Sequence, residues 1–222
     1  MATTEAQTES HDLLPRLIPF LDRHLVFPIL EFLEKQESSD ASTIKALKFE
    51  LLKETNMSDY VGSLEADIKG LSEAPASYTQ KREAVLAKRQ SLEDASSKMT
   101  ALLDNQEVTN TLRSDKVANM NYLRDEHGVT PEDVSALYDF GQFLFSVGDY
   151  EAASDLLFQF RLLSTDNEKT SAATWGKLAC EVLQANWEQA MDEISKVREG
   201  IDTRLFNAPL AQLSHRTWLL HW

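Results

Sequence analysis

One cysteine, Cys180, stands in 222 residues, so no intrachain disulfide can form and a single thiol fits a reducing compartment. Glycine and proline are sparse, at 7 and 6. That excludes a collagenous or low-complexity chain and leaves no glycine-rich loop to cradle a phosphate. Long hydrophobic runs are missing too. The greasiest stretch, Leu25 to Leu30, contains Pro28 and is far shorter than the roughly 20 residues of a membrane span. Asn-Gly and Asp-Gly do not occur, and no β-branched run alternates with polar residues, so strand and hairpin signals are absent. Basic residues are in deficit, 22 against 36 acidic. The formal charge of −14 divides evenly, −7 over residues 1–126 and −7 over 127–222, so neither part offers the concentrated positive face that nucleic acid or an anionic membrane needs.

What is present is helical spacing in a chain that is 42% hydrophobic and 26% charged, long enough to bury roughly 70% of its unfolded surface. The first ten residues, MATTEAQTES, have neither positive charge nor an apolar region and read as a disordered tail instead of a targeting segment. Leu13, Leu14, Leu17, Ile18 and Leu21 collect on one helical face, and Leu25 to Leu33 continue the pattern around Pro28, which predicts two short helices meeting near Arg23 to Pro28. Leu17, Leu21, Leu25 and Phe27 also match a loose nuclear-export spacing, but any amphipathic helix produces it, and core burial is favoured. Ser42 or Thr43 caps a segment carrying Ile44, Leu47, Leu51 and Leu52, and Met57 to Lys69 is a weaker helix after it. The linker GLSEAPAS, residues 70–77, precedes a long helix near 77–104, in which Tyr78, Val85, Leu92 and Met99 recur every seventh residue. Lys81 and Lys88 interrupt this seam, so antiparallel packing on the next helix, Val108 to Leu123, is expected instead of a free-standing coiled coil. Gly128 reads as the left-handed terminator of that next helix.

The clearest organisation follows. Thr130, Pro131 and Asp133 form a cap with a first-turn proline, opening a helix through Phe145 that ends at Gly148. A turn and Tyr150 start a second helix with Ala153, Leu156, Leu157 and Phe160. Trp187 and Ala190 repeat Tyr150 and Ala153 thirty-seven residues later. A helix pair at this period, with a small residue at the crossing and an aromatic after the turn, resembles a tetratricopeptide repeat. Ala153 and Ala190 are therefore expected where helices approach closely. A third pair begins near Pro209. The sequence then ends at Leu219, Leu220, His221 and Trp222 in an apolar run, which predicts a fragment or an end covered by a partner, with Leu213, Trp218, Leu219 and Trp222 as the partner-binding candidates.

Reactive chemistry is hard to find. His11, His24, His127, His215 and His221 include no pair at the i, i+4 spacing of a helical metal site, so no metal is expected. Asp125, Glu126 and His127 read as a solvated helix end. No G-x-S-x-G, Walker or dinucleotide motif occurs. Cys180, beside Glu181, reads as a core thiol and not a nucleophile. Asn56-Met57-Ser58 is a chance glycosylation sequon. Phe140, Phe143, Phe145, Tyr150, Phe158 and Phe160 fill the space between stacked helices better than they form a ligand box. Neither a catalytic residue nor a cofactor is assigned.

A family resemblance adds to this. Leu21 to Leu33 (LDRHLVFPILEFL), Leu51 to Asp59 (LLKETNMSD), Trp175 to Ala179 (WGKLA), Asn186 to Asp192 (NWEQAMD) and Arg216 to Trp222 (RTWLLHW) together resemble the E-subunit family of eukaryotic translation initiation factor 3, in the same order. Residues 36–50 and 62–120 depart more from the pattern. The resemblance implies a non-catalytic scaffold subunit whose helical repeats lead into a PCI domain with a winged helix, which is absent here. It implies as partners other initiation factor 3 subunits, particularly d, c, l and k, and the small ribosomal subunit through the assembled complex. The lone cysteine and the tail without a targeting pattern point to the cytoplasm, and the resemblance admits a nuclear pool.

Residues and resemblance together predict an all-α fold, a right-handed solenoid of stacked helix pairs of tetratricopeptide or HEAT type. Its parts are a tail over 1–10, an N-terminal helical region over 11–126 and repeats over 130–222. No direct nucleic-acid binding and no membrane contact are expected; Lys81, Arg82, Lys88 and Arg89 read as a solvated face. The rival readings are a peptide-binding tetratricopeptide adaptor and the equivalent PCI subunit of a proteasome lid or signalosome. An adaptor clamp would need Lys and Asn where Tyr138, Gln142, Phe145, Trp175, Ala179 and Val182 stand.

Overall fold

The computed structural model describes residues 14–36, 41–113, 115–203 and 208–222, and among these every regular element is a helix. The tail over 1–10, together with His11 and Leu13, lies outside the described residues. The chain forms two compact units, residues 1–54 and 55–222.

In the first unit α1 (Leu14–Leu17) runs into a 3₁₀ turn (Ile18–Phe20), followed by α2 (Arg23–Lys35) and α3 (Ala41–Leu52). The Asp22 side chain caps α2, accepting from the amides of His24 and Leu25 at 2.9 and 3.1 Å. The sequence predicts two helices meeting near Arg23 to Pro28, yet α2 continues through Pro28. The junction sits earlier, at the Asp22 cap. Pro28 removes one backbone donor, and the helix survives this because Val26 and Leu30 on either side of it are fully buried. Burial also falls elsewhere than expected: Leu17 is exposed and Leu21, Leu25 and Phe27 are only half-buried. Helix α3 packs on α2 through Lys48, whose ammonium donates to Glu34 at 2.6 Å and lies 5.3 Å from the Phe27 ring centroid. Because α3 already starts at Ala41, Ser42 and Thr43 lie inside its first turn and not at its cap.

In the second unit α4 (Ser58–Lys69) ends on Gly70, and α5 (Ala76–Asp104) is the long helix. Its seam shares a cluster with Val108 and Leu123 of the following segment, as expected, but packs more extensively on a later helix. Met99 is buried, and Val85 and Leu92 half-buried, against a cluster dominated by the later helix α8 (Pro131–Val147), while Tyr78 bonds to Glu65 of α4. The expected helix over Val108 to Leu123 breaks into α6 (Gln106–Thr111) and α7 (Lys116–His127). Two side chains enforce the break. Asp115 caps α7 through the amides of Val117 and Ala118, and buried Asn119 accepts from the Arg113 amide and donates to the Arg113 and Leu162 carbonyls. Gly128 then ends α7 with a φ of 60°, and Lys98 of α5 donates to its carbonyl at 2.7 Å.

From here helices pack in sequential pairs: α8 with α9 (Tyr150–Leu163), α9 with α10 (Asn167–Leu183), α10 with α11 (Trp187–Thr203), and α11 with α12 (Pro209–His221). This is a helical-repeat solenoid. Thr130 and Asp133 form a full capping box, with Pro131 at the first helical position, as the sequence predicts. Gly148, at φ 91°, makes the sharp turn into α9. Ala153 and Ala190 are both buried. The tightest approaches use glycine: a Cβ on Gly141 or Gly176 would lie 3.1 or 3.0 Å from Leu157. The aromatics divide. Phe140, Phe143 and Phe160 are buried, Phe145 and Tyr150 half-buried and 5.5 Å apart, and Phe158 lies outside under Arg161 and Lys177. Trp187 does not repeat Tyr150, since it is 63% exposed. The residue thirty-seven places after Phe145 is Val182, so the second ring has no aromatic partner in the preceding helix.

Candidate functional site

Helix α12 carries Leu213, Trp218 and Leu219, three of the four residues singled out by sequence, and Trp222 follows as its C-cap. Pro209 starts it, Gln212 donates to the Ile201 carbonyl at 3.3 Å, and Arg216 pairs with Asp202, which together fix the helix along α11. Leu219 faces inward, half-buried on the cluster of Leu178, Ala190, Val197 and Ile201. Leu213, 61% exposed, and Trp218, 41% exposed, point away from it. Trp222 is half-buried, with its ring 4.6 Å from His221, which also stands edge-on to Trp218 at 5.7 Å. The single apolar face expected from the spacing is therefore split, because α11 takes up only the Leu219 side. Leu210 and Leu220, apolar residues of the same segment outside the four candidates, are both largely exposed on this helix, as is Met191 beside Trp187 on α11. Their signal is present in the sequence as apolar residues off the inward stripe.

Charged side chains hold this surface in place. Lys177 and Glu181 pair at 2.6 Å inside the packing of α9, α10 and α11; Ser154 donates to Glu181 at 2.7 Å and Asn186 at 3.1 Å. Burial pushes the Glu181 carboxyl up, but the bonds from Lys177, Ser154 and Asn186 outweigh it and leave the group below the usual range. A second cluster joins α9 to α11: Arg161 grips Glu193 with two bonds, at 2.6 and 3.1 Å, and Lys196 adds a third at 2.8 Å. Burial again pushes the Glu193 carboxyl up, and these cations more than reverse it. The sequence does mark these pairs, since Lys177, Glu181 and Glu193 share helix faces with the apolar residues Ala173, Ala190 and Val197, positions where a solvated charge is out of place.

Elsewhere the side chains are structural. Cys180 is fully buried and its thiol is pushed up to about 12, chiefly by burial, so it is a core residue as predicted. Asn56 of the chance sequon is tied to α8, with its amide donating to the Ser146 carbonyl and its side chain to the Ser146 hydroxyl. Arg82 and Arg89 are exposed and pair with Asp59 and Asp149, which fits a solvated face. Among the described residues no group of three or more His, Cys, Asp or Glu is placed to hold a metal ion, and no helix is long and apolar enough to cross a membrane.

Stacked helix pairs along residues 131–221 define a helical-repeat protein. Residues 12–144 match the family model described as eIF3 subunit 6 N terminal domain. The chain is 55% identical over 98% of its length to the E subunit of eukaryotic translation initiation factor 3 from Botryotinia fuckeliana, and 56% identical over 95% to that of Pyricularia oryzae. It is 54% identical over 99% to the E subunit from Aspergillus oryzae. It covers 48%, 50% and 48% of those proteins, so it spans about half the length of the curated relatives it matches. The chain belongs to the E-subunit family of eukaryotic translation initiation factor 3.

Proposed function

We propose that this chain is a non-catalytic scaffold in translation initiation, giving other subunits of initiation factor 3 a surface on which to assemble. The observation that carries this is the 54–56% identity to E-subunit proteins along nearly the whole chain, on a fold of stacked helices. Residues 130–222 form the repeat region of the scaffold. Exposed Leu213 and Trp218, with half-buried Trp222, make the partner contact, and Leu219 anchors the helix that presents them. Subunits d, c, l and k are the partners the family resemblance suggests, with the small ribosomal subunit reached through the assembled complex. The acidic balance, −14, supports contact through protein and not through RNA. The site of action is the cytoplasm.

The test is purification of the tagged full-length parent from cells at high salt. Stoichiometric recovery of other initiation factor 3 subunits by mass spectrometry supports the reading. Recovery of the parent alone refutes it.

A further inference from the structure

A cleft of about 970 Å³ opens in the second unit between α10, α11 and α12, with the start of α7 contributing to its wall. Three cations line it, Lys116, Arg161 and Lys196, in a chain of net charge −14. Two of them are neutralised, since Glu193 binds both Arg161 and Lys196. Lys116 is not. It is half-buried, and its ammonium has no hydrogen bond or ion pair among the described residues. Burial, and then the nearby Arg161 charge, hold its ammonium below the usual range. A desolvated cation without a counter-charge destabilises the free chain, and an incoming carboxylate would remove that cost.

The rest of the lining limits what can enter. Trp175, half-buried and 6.5 Å from the His215 ring, offers a flat apolar face. Thr170 Oγ1 is buried in the same wall without a hydrogen-bond partner, so this wall is incompletely satisfied on its own. Glu168 and Glu199 also line the cleft and oppose a dense polyanion, while a short segment with one or two carboxylates beside an apolar side chain can place its charge at Lys116 alone.

We propose that this cleft docks a short acidic segment of a partner protein, with Lys116 receiving a carboxylate and Trp175 the adjoining apolar side chain. The inference rests on the reading of the chain as a protein-binding scaffold and gives the chemistry of one of its contacts.

The test uses the whole 222-residue chain and a fluorescein-labelled, C-terminally amidated peptide with two carboxylates, Gly-Asp-Trp-Glu-Gly, followed by anisotropy. Saturable binding is expected, weakened about tenfold or more by Lys116→Met and Lys116→Glu, retained by Lys116→Arg and unchanged by Lys88→Met on the exposed face of α5. Lys116→Met should also raise the melting temperature, so its loss of binding cannot come from unfolding. Absence of saturable binding, or equal binding by Lys116→Met, overturns the proposal. So does competition by an oligouridylate of matched charge at the same concentration, which would make the cleft a nucleic-acid site. If the peptide fails while initiation factor subunits still co-purify with the parent, the cleft assignment falls and the scaffold reading stands.

Discussion

Replacing Glu193 with alanine gives the sharpest prediction about how the repeats are held together. Its carboxylate is 2% exposed and takes two bonds from Arg161 and one from Lys196. In Glu193→Ala the guanidinium of Arg161, itself nearly buried, loses the acid that ties α9 to α11. Removing one member of a buried pair costs about 3–5 kcal/mol, because the remaining charge stays desolvated. For a domain of this size each kcal/mol moves the melting temperature by about 2–4 °C, so a drop of roughly 6–20 °C is expected. Lys196 is half exposed and can return to water, so it adds little to the loss. Thermal melts by circular dichroism measure the effect, with Arg82→Ala as control: its ion pair with Asp59 is exposed on both sides and should be worth at most about 1 kcal/mol. The double variant Arg161→Met, Glu193→Leu should recover most of the stability, since no charge is left stranded. Equal melting shifts for Glu193→Ala and Arg82→Ala, or a double variant worse than the single, would refute this role for Glu193.

Three further outcomes are expected. Ala153→Leu should overpack a fully buried crossing and cost about 1–3 kcal/mol in urea denaturation, and a neutral result would remove the crossing from α9. Gly141→Ala should destabilise despite alanine's better helix propensity, because Leu157 stands 3.1 Å from the new Cβ. Gly200→Ala, in open space within α11, should stabilise by about 0.5–1 kcal/mol, and the pair measured together separates packing from propensity. Stability should fall on acidification in two windows. Burial lowers the His24 pKa, so the folded chain resists its protonation and loses stability as pH drops below 6.5. The Glu181 and Glu193 carboxyls are lowered as well, so the unfolded chain binds protons first and further loss follows below 4.5. A pH titration of the urea midpoint checks this, with His24→Gln expected to flatten the upper window only.

Local rules made part of this fold legible. The Thr130, Pro131 and Asp133 start of α8 and its Gly148 end require only neighbouring residues, and both appear as read. Cys180 was equally clear from its apolar helix face. The break between α6 and α7 was not, because Asn119 enforces it through the Leu162 carbonyl forty-three residues away. Pro28 misled for the same reason: the burial that carries α2 through it comes from packing, which the local proline rule omits. At α12 the helical period was right, but the spacing of Leu213 and Leu219 could not say which side α11 would cover. The buried charges were the largest omission. Lys177, Glu181 and Glu193 sit on apolar helix faces that mark them for burial, but the partners that neutralise them across helices are set only when three helices meet.

Whether this surface binds protein and not RNA is tested most directly by titrating the chain against recombinant initiation factor 3 subunits d, c, l and k and, in parallel, against ribosomal RNA fragments at physiological salt. The predicted result is a stoichiometric complex with at least one subunit, weakened by Leu213→Asp or Trp218→Asp, and at most weak RNA binding. A submicromolar RNA complex with no subunit bound would contradict it.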